Sequence, residues 1–269
     1  MKRNNDMNAI ILAAGKGERL RPLTNKIPKC MVKLFNKTLL EYQIDVFKSC
    51  KINDITVVTG YEADKIKIEG VNFLHNQNYD TTNMVETLFC AKEKLTENVI
   101  ISYGDIIFEK QVLQKLINSN WDSSVIIDNQ WKKYWQMRFE NPLDDVESLR
   151  IDENGLITNI GMKVNSLEEI QGQYIGLMKF KNEGVKNLKK IYEKAKLKSV
   201  KGVNLLNENI PFEKSYMTDL IQAMINEGVK INAVKITNGW LELDSIDDYN
   251  LYQERNNEGT ISELISLKP

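Results

Sequence analysis

The chain has 269 residues, 42% hydrophobic and 27% charged, enough apolar side chain to fill a sizeable core and compatible with one large α/β domain or two small ones. Its 36 basic and 37 acidic side chains nearly cancel, which argues against a nucleic-acid partner, because phosphate neutralisation calls for a basic excess or stripe. No apolar run approaches the roughly 20 residues that span a bilayer. Residues 1–6 are polar with no apolar run behind them, and Cys30, Cys50 and Cys90 lack disulfide or zinc spacing, so a cytoplasmic protein without a membrane partner is expected.

Residues 8–12 form a short apolar run that ends in Ala-Ala-Gly-Lys-Gly, a buried strand entering a glycine loop. Leu40, Ile44 and Phe47 recur at helical spacing, and strands are expected at 55–59 and 71–74. Asn83 with Glu86 three residues on has the pattern of a capping box, opening a helix through Leu95. A buried strand at 99–102 stops at Tyr103-Gly104-Asp105. This alternation implies right-handed crossovers and a mostly parallel sheet. Farther on, strands are expected at 124–127, 173–180, 231–236 and 240–243, and helices at 185–198 and 218–227. The lysines between 186 and 201 alternate with Leu188, Ile191, Tyr192 and Ala195, the pattern of a solvated helix face. With sparse glycine and proline and no low-complexity linker, residues 1–269 are expected to form one domain, with an acceptor-side subregion over about 128–215.

The most informative segment runs from Leu12 to Thr24 (Leu-Ala-Ala-Gly-Lys-Gly-Glu-Arg-Leu-Arg-Pro-Leu-Thr) and is followed by Pro28-Lys29. Gly15 and Gly17 can bring backbone amides against phosphate oxygens, and Arg19 and Lys29 add cationic donors suited to a triphosphate. The segment lacks the third glycine of a dinucleotide fingerprint and the Lys-Ser/Thr of a P-loop. Two glycines alone fit an ordinary strand-to-helix turn; the ordered set Arg19, Pro22, Thr24, Pro28 and Lys29 points beyond one.

This signature resembles that of the sugar-nucleotide pyrophosphorylase superfamily, the glycosyltransferase-A-like nucleotidyltransferases. The resemblance implies a three-layer Rossmann-like α/β sandwich with a mostly parallel mixed sheet, and catalysis of nucleotidyl transfer with release of pyrophosphate. It gives Arg19 and Lys29 the triphosphate and the departing pyrophosphate, and it gives Leu12, Ala13, Ala14, Gly15 and Gly17 contacts to base and phosphates. Asp105 directly follows a buried strand, where side chains enter the ligand crevice of an α/β sheet. In 240–244, Trp-Leu-Glu-Leu-Asp, alternation puts Glu242 and Asp244 on one strand face. An aspartate at a strand end is commonly a cap or a turn residue; by the resemblance, Asp105 and Asp244 match the carboxylate pair that holds Mg2+, a cation that takes one or two carboxylates plus phosphate oxygens. The nucleophile is already an anion, so positioning and charge neutralisation matter more than proton transfer. The single histidine, His75, is expected to be structural or superficial.

The chain also resembles a narrower branch, the cytidylyltransferases that activate phosphocholine and related headgroups, through Gly60-Tyr61, the Asn-rich turn ending in Asn83, and its length. That branch implies CTP as donor and extends the nucleotide contacts to Gly60, Tyr61, Asn83, Tyr103 and Gly104. The segments 131–138, 141–147 and 172–176 look most like cytidylyltransferases of phosphonate and phosphoglutamine pathways, making 2-aminoethylphosphonate the favoured acceptor, with phosphoglutamine and phosphocholine as alternatives. Arg138 and Lys163 are candidates for its anionic end; Trp131 or Trp135 with Asp144, Asp145 or Glu147 are candidates for a cationic amine. The bland alternative makes the tryptophans core residues and the acids a solvated turn. A hexose-1-phosphate enzyme and a catalytically silent nucleotide-binding module are further alternatives, and a homodimer is left open.

Overall fold

The computed structural model describes residues 7–267. In chain order, the first half contains β1 (Asn8–Ala13), β2 (Lys33–Leu34), β3 (Lys37–Thr38), α1 (Leu39–Ser49), β4 (Asp54–Thr59), β5 (Asn72–His75), α2 (Met84–Phe89), β6 (Asn98–Tyr103), β7 (Ile106–Phe108), α3 (Lys110–Ile117) and β8 (Ser123–Asp128). The second half contains α4 (Trp131–Arg138), β9 (Leu149–Ile151), β10 (Ile157–Ile160), β11 (Gln173–Lys181), α5 (Glu183–Ser199), α6 (Met217–Asn226), β12 (Asn232–Ile236), β13 (Trp240–Glu242) and α7 (Ile246–Asn257). No described helix is long and apolar enough to cross a membrane.

One seven-stranded sheet has the order β12-β8-β11-β6-β1-β4-β5. Only β11 runs antiparallel to its neighbours β6 and β8; the other pairs are parallel. All six residues of β1 are buried, as expected of a central strand covered on both faces. Ile11 joins Leu40, Phe47 and Phe108 on one side, while Ile10 and Leu12 join Phe180, Leu188 and Leu220 on the other. The result is the mixed, mostly parallel three-layer sandwich expected from the sequence. The segment 128–215 contributes β11, which has a partner on each side, so it is woven into the sheet.

Two local expectations are corrected. Asn83 caps α2 by accepting from the Met84 amide, but no reciprocal box forms and the helix stops at Phe89, short of Leu95. The Glu86 carboxylate is drawn instead to the Tyr192 hydroxyl and Lys196 of α5, at 2.8 and 2.6 Å. Likewise Glu242 and Asp244 do not share a strand, because β13 ends at Glu242. Ser245 and Asp248 form the capping box of α7 immediately afterwards, and this turns the chain at Asp244.

Candidate active site

Asp105 and Asp244 are 139 positions apart and meet through one small pairing. β7 and β13 are antiparallel, with Glu242 opposite Ile106. The ladder continues one step beyond, where the Leu243 amide donates to the Asp105 carbonyl at 2.9 Å. The two aspartates therefore emerge side by side where the ribbon ends. Lys29 lies between them, its Nζ 2.8 Å from Asp105 Oδ2 and 2.5 Å from Asp244 Oδ1. Burial opposes the lysine charge, but the carboxylates of Asp105 and Asp244 outweigh it and raise the Lys29 pKa above its ordinary value. Burial would likewise raise Asp244; Lys29 and Arg19 reverse that and hold it below the usual carboxylate range.

The loop after β1 supplies the cations. Gly17 has φ 63°, and a Cβ there would come within 3.0 Å of the Lys29 Cβ, so both backbone and space require glycine. The Thr24 hydroxyl closes the loop by donating to the Gly17 carbonyl at 2.7 Å. Arg19 pairs with Asp244 and lies 3.8 Å from Asp145, with 65% of its side chain exposed. It is thus free to turn toward an incoming anion.

Two connected cavities open beside these residues. The smaller, about 130 Å³, is lined by Leu12, Ala13, Ala14, Gly15, Asn83 and Gly104, with Cys30, Thr82 and Thr87. The larger, about 760 Å³, is lined by Gly17, Arg19, Trp135, Asp145, Glu147 and Asp244, among others. Gly15, Lys29, Tyr79, Met84, Tyr103 and Asp105 line both, so the crevice is continuous across the carboxylate pair. Gly60 and Tyr61 do not line it. They support the loop from behind: a Cβ on Gly60 would fall 2.6 Å from the Ala14 carbonyl, and the Tyr61 amide donates to that oxygen at 3.1 Å.

The sequence reading missed Tyr79, Asp80, Thr82 and Thr87. Their loop is shaped by buried Asn76, which donates to the hydroxyls of Thr82 and Thr87 at 2.9 and 3.0 Å and accepts from the Asn78 amide. The Asn-rich composition of 76–83 was the available signal. Glu242, Gln173, Tyr174, Tyr216 and Thr218 also line the large cavity, brought there by tertiary packing alone. His75 is exposed at the end of edge strand β5.

The expected acceptor residues divide. Asp145 and Glu147 reach the large cavity, as does Trp135, whose buried indole N–H has no hydrogen-bond partner. Burial raises the Asp145 pKa, opposed by Arg138 and reinforced by Asp244. Burial followed by the charges of Asp219 and Asp145 pushes Glu147 upward, tempered by the solvent on its open side. Trp131 lines neither cavity and is buried against Trp135 in the core. Asp144 accepts from the Asn141 side-chain amide in an exposed turn, and Lys163 is exposed outside the crevice lining. Arg138 is the clearest correction: its side chain is wholly buried, lines neither cavity and is already paired with Glu242 and Asp248.

The glycine loop at the end of β1 and the lysine-bridged aspartate pair line one crevice. Residues 9–152, more than half of the chain, match the family model described as the MobA-like NTP transferase domain. The chain belongs to this family. This NTP transferase is 41% identical over 260 residues to the CTP:phosphoglutamine cytidylyltransferase of Campylobacter jejuni, covering 93% of this chain and 100% of the relative. It is 37% identical over 131 residues to the choline-phosphate cytidylyltransferase of Streptococcus pneumoniae, covering 46% of this chain and 57% of that one. Among solved structures, it matches the CTP:phosphocholine cytidylyltransferase from Streptococcus pneumoniae with a TM-score of 0.70 at 23% identity, over 92% of this chain and 98% of that one. It also matches the inositol-1-phosphate CTP transferase from T. maritima, with a TM-score of 0.67 at 17% identity over 96% and 97%. These two superpositions establish the shared fold.

Proposed function

We propose that this NTP transferase moves CMP from CTP to a small acceptor bearing a phosphate or phosphonate, with release of pyrophosphate. The observation that carries the reading is the Lys29 ammonium held between Asp105 and Asp244 on the floor of a crevice lined by the glycine loop. CTP as donor is supported by the relative that aligns over its whole length and is named for that nucleotide. An acceptor oxygen forms a bond to the α-phosphorus while the bond to pyrophosphate breaks, and the negative charge leaves with pyrophosphate. Arg19 and Lys29 swing from their carboxylate partners onto the triphosphate and stabilise that charge. The acceptor oxygen is already anionic, so no side chain has to remove a proton.

Asp105 and Asp244 would hold Mg2+, which when bound supplies charge neutralisation on the phosphates. The residues fit the ion. Asp105 Oδ1 is buried without a hydrogen-bond partner, and among the described residues the linked carboxylates Asp105, Asp145, Glu242, Asp244 and Asp248 pair with three cations, Arg19, Lys29 and Arg138. Two formal negative charges are left over. Among the described residues no group of three or more ligating side chains converges on one point, as suits an ion whose remaining ligands come from the nucleotide.

At the far end of the crevice, Asp145 and Glu147, with Asp219 behind them, place acids beside Tyr174, Tyr216 and Trp135. That wall suits an acceptor whose other end is a cationic amine. 2-Aminoethylphosphonate has such an end; phosphoglutamine, the substrate named for the full-length relative, carries its amine beside a carboxylate. The test is pyrophosphate release with each of the four nucleotides against these two compounds, phosphocholine and a hexose 1-phosphate. Release is expected with CTP and the primary-amine acceptors. Turnover confined to the sugar phosphate, or none with CTP, would overturn the reading.

A further inference from the structure

We propose that Arg138 is a positioning residue that aims the Asp244 carboxylate, and thereby sets the affinity of the Asp105–Asp244 pair for a divalent cation, by way of Asp248 and Glu242. The inference rests on the cation role proposed above for those two aspartates.

The Arg138 side chain has 0% exposure and the Asp248 side chain 2%. Nε and Nη2 of Arg138 donate to the two oxygens of Asp248 at 2.8 and 3.0 Å, and Nη1 donates to Glu242 Oε2 at 2.7 Å. Asp248 Oδ2 also accepts the backbone N–H groups of Asp244 and Ser245, each at 3.0 Å. One carboxylate thus ties the guanidinium to the backbone that bears Asp244. The other arm fixes the chain two residues earlier. The Glu242 amide donates to the Tyr134 hydroxyl at 2.9 Å, and the Tyr252 hydroxyl donates to the Glu242 carbonyl at 2.8 Å. The guanidinium is hemmed in by the rings of Tyr134, Trp135 and Phe139, at 5.2, 5.4 and 5.0 Å from their centroids.

Arg138 therefore grips the chain on both sides of Asp244 without entering the crevice. A fork bonded to one carboxylate while a third nitrogen reaches another is a geometry that lysine cannot reproduce. Groups that orient a metal-binding carboxylate through hydrogen bonds typically change affinity by about 10–100-fold when altered. The competing role is purely structural, a buried ion triad that pins α4 to α7.

The test compares wild type, Arg138→Lys, Asp248→Asn and the double variant. Mn2+ binding is followed by electron paramagnetic resonance, folding by thermal melting, and turnover by kcat and KM. Arg138→Lys keeps the charge and loses the fork. Asp248→Asn keeps an acceptor for the Asp244 and Ser245 amides and loses half of the pairing. Each single variant is expected to weaken Mn2+ binding by about 10-fold or more and to lower kcat, with KM for CTP near wild type. The double variant is expected to be no weaker than the weaker single variant, because both act through one link. Variants that melt earlier yet bind Mn2+ like wild type would overturn the positioning role alone. Wild-type protein that binds Mn2+ no better than Asp105→Ala would overturn the cation site, and this role with it.

Discussion

Lys29 lies between Asp105 and Asp244 and neutralises them, the same two carboxylates that are proposed to hold a divalent cation. The same ammonium is assigned to the triphosphate, so it cannot serve both partners at once. Lys29→Met is therefore expected to do two opposite things. Pyrophosphate release should fall by about 10²–10³-fold, the usual cost of a lost charge-stabilising donor. Mn2+ binding to the nucleotide-free protein, measured by calorimetry, should become tighter, because two carboxylates lose their resident counter-charge. Unchanged or weaker binding would show that the ammonium does not compete. At Gly60, a methyl group would fall 2.6 Å from both the Ala14 carbonyl and the Tyr79 side chain, which leads to a different expectation. Gly60→Ala should weaken CTP binding by displacing the loops that carry Ala14 and Tyr79, although Gly60 itself touches no ligand cavity; a wild-type KM for CTP would contradict this.

At the scale of elements, α4 explains the aromatic sequence that first suggested an acceptor site. Its Tyr134 and Trp135 pack on Trp240, and the Trp240 indole N–H donates to buried Asp128 at 2.9 Å. The helix is a buttress for β13 and hence for Asp244. Trp131→Ala should cost about 3–5 kcal/mol of stability in urea unfolding and leave the acceptor KM of the folded enzyme unchanged; a KM effect without destabilisation would restore Trp131 to the acceptor site. β11 carries a second test. Burial, then the charge of Lys181, lowers the Lys179 pKa to about 8, although its ammonium donates to the Ile117 and Ser119 carbonyls. Between that value and the ordinary lysine pKa of about 10.4, the unfolded chain binds more protons than the folded one. Wild type should therefore gain stability relative to Lys179→Met as pH rises from about 8 to about 10. A flat difference would show that the two carbonyls keep the ammonium charged.

Across the whole molecule, the sheet separates two apolar clusters that share its strands: Ile11 and Ile100 face one, Ile10 and Ile101 the other. Neither cluster can lose its packing without exposing the back of the same strands. Urea unfolding followed by tryptophan fluorescence and by far-ultraviolet circular dichroism should give coincident single transitions; separated midpoints would mean that the 128–215 region unfolds on its own. Apolar periodicity, which reports the side of an element that is buried, was sufficient for the seven strands of the main sheet and for α5 and α6, but not for the short strands β2, β3, β7, β9 and β10 or for α3, α4 and α7. The turn from Gly15 to Lys29 was legible for a related reason: Gly17, Thr24 and Lys29 close it among near neighbours. Where each carboxylate goes was not a local matter. Glu86 left its expected cap for Tyr192 and Lys196. Arg138 was claimed by Glu242 and Asp248, more than 100 positions away, and Tyr174 and Tyr216 reached the crevice from distant segments. A charged side chain takes the partner that compensates its desolvation best, and only the folded chain brings those partners within reach.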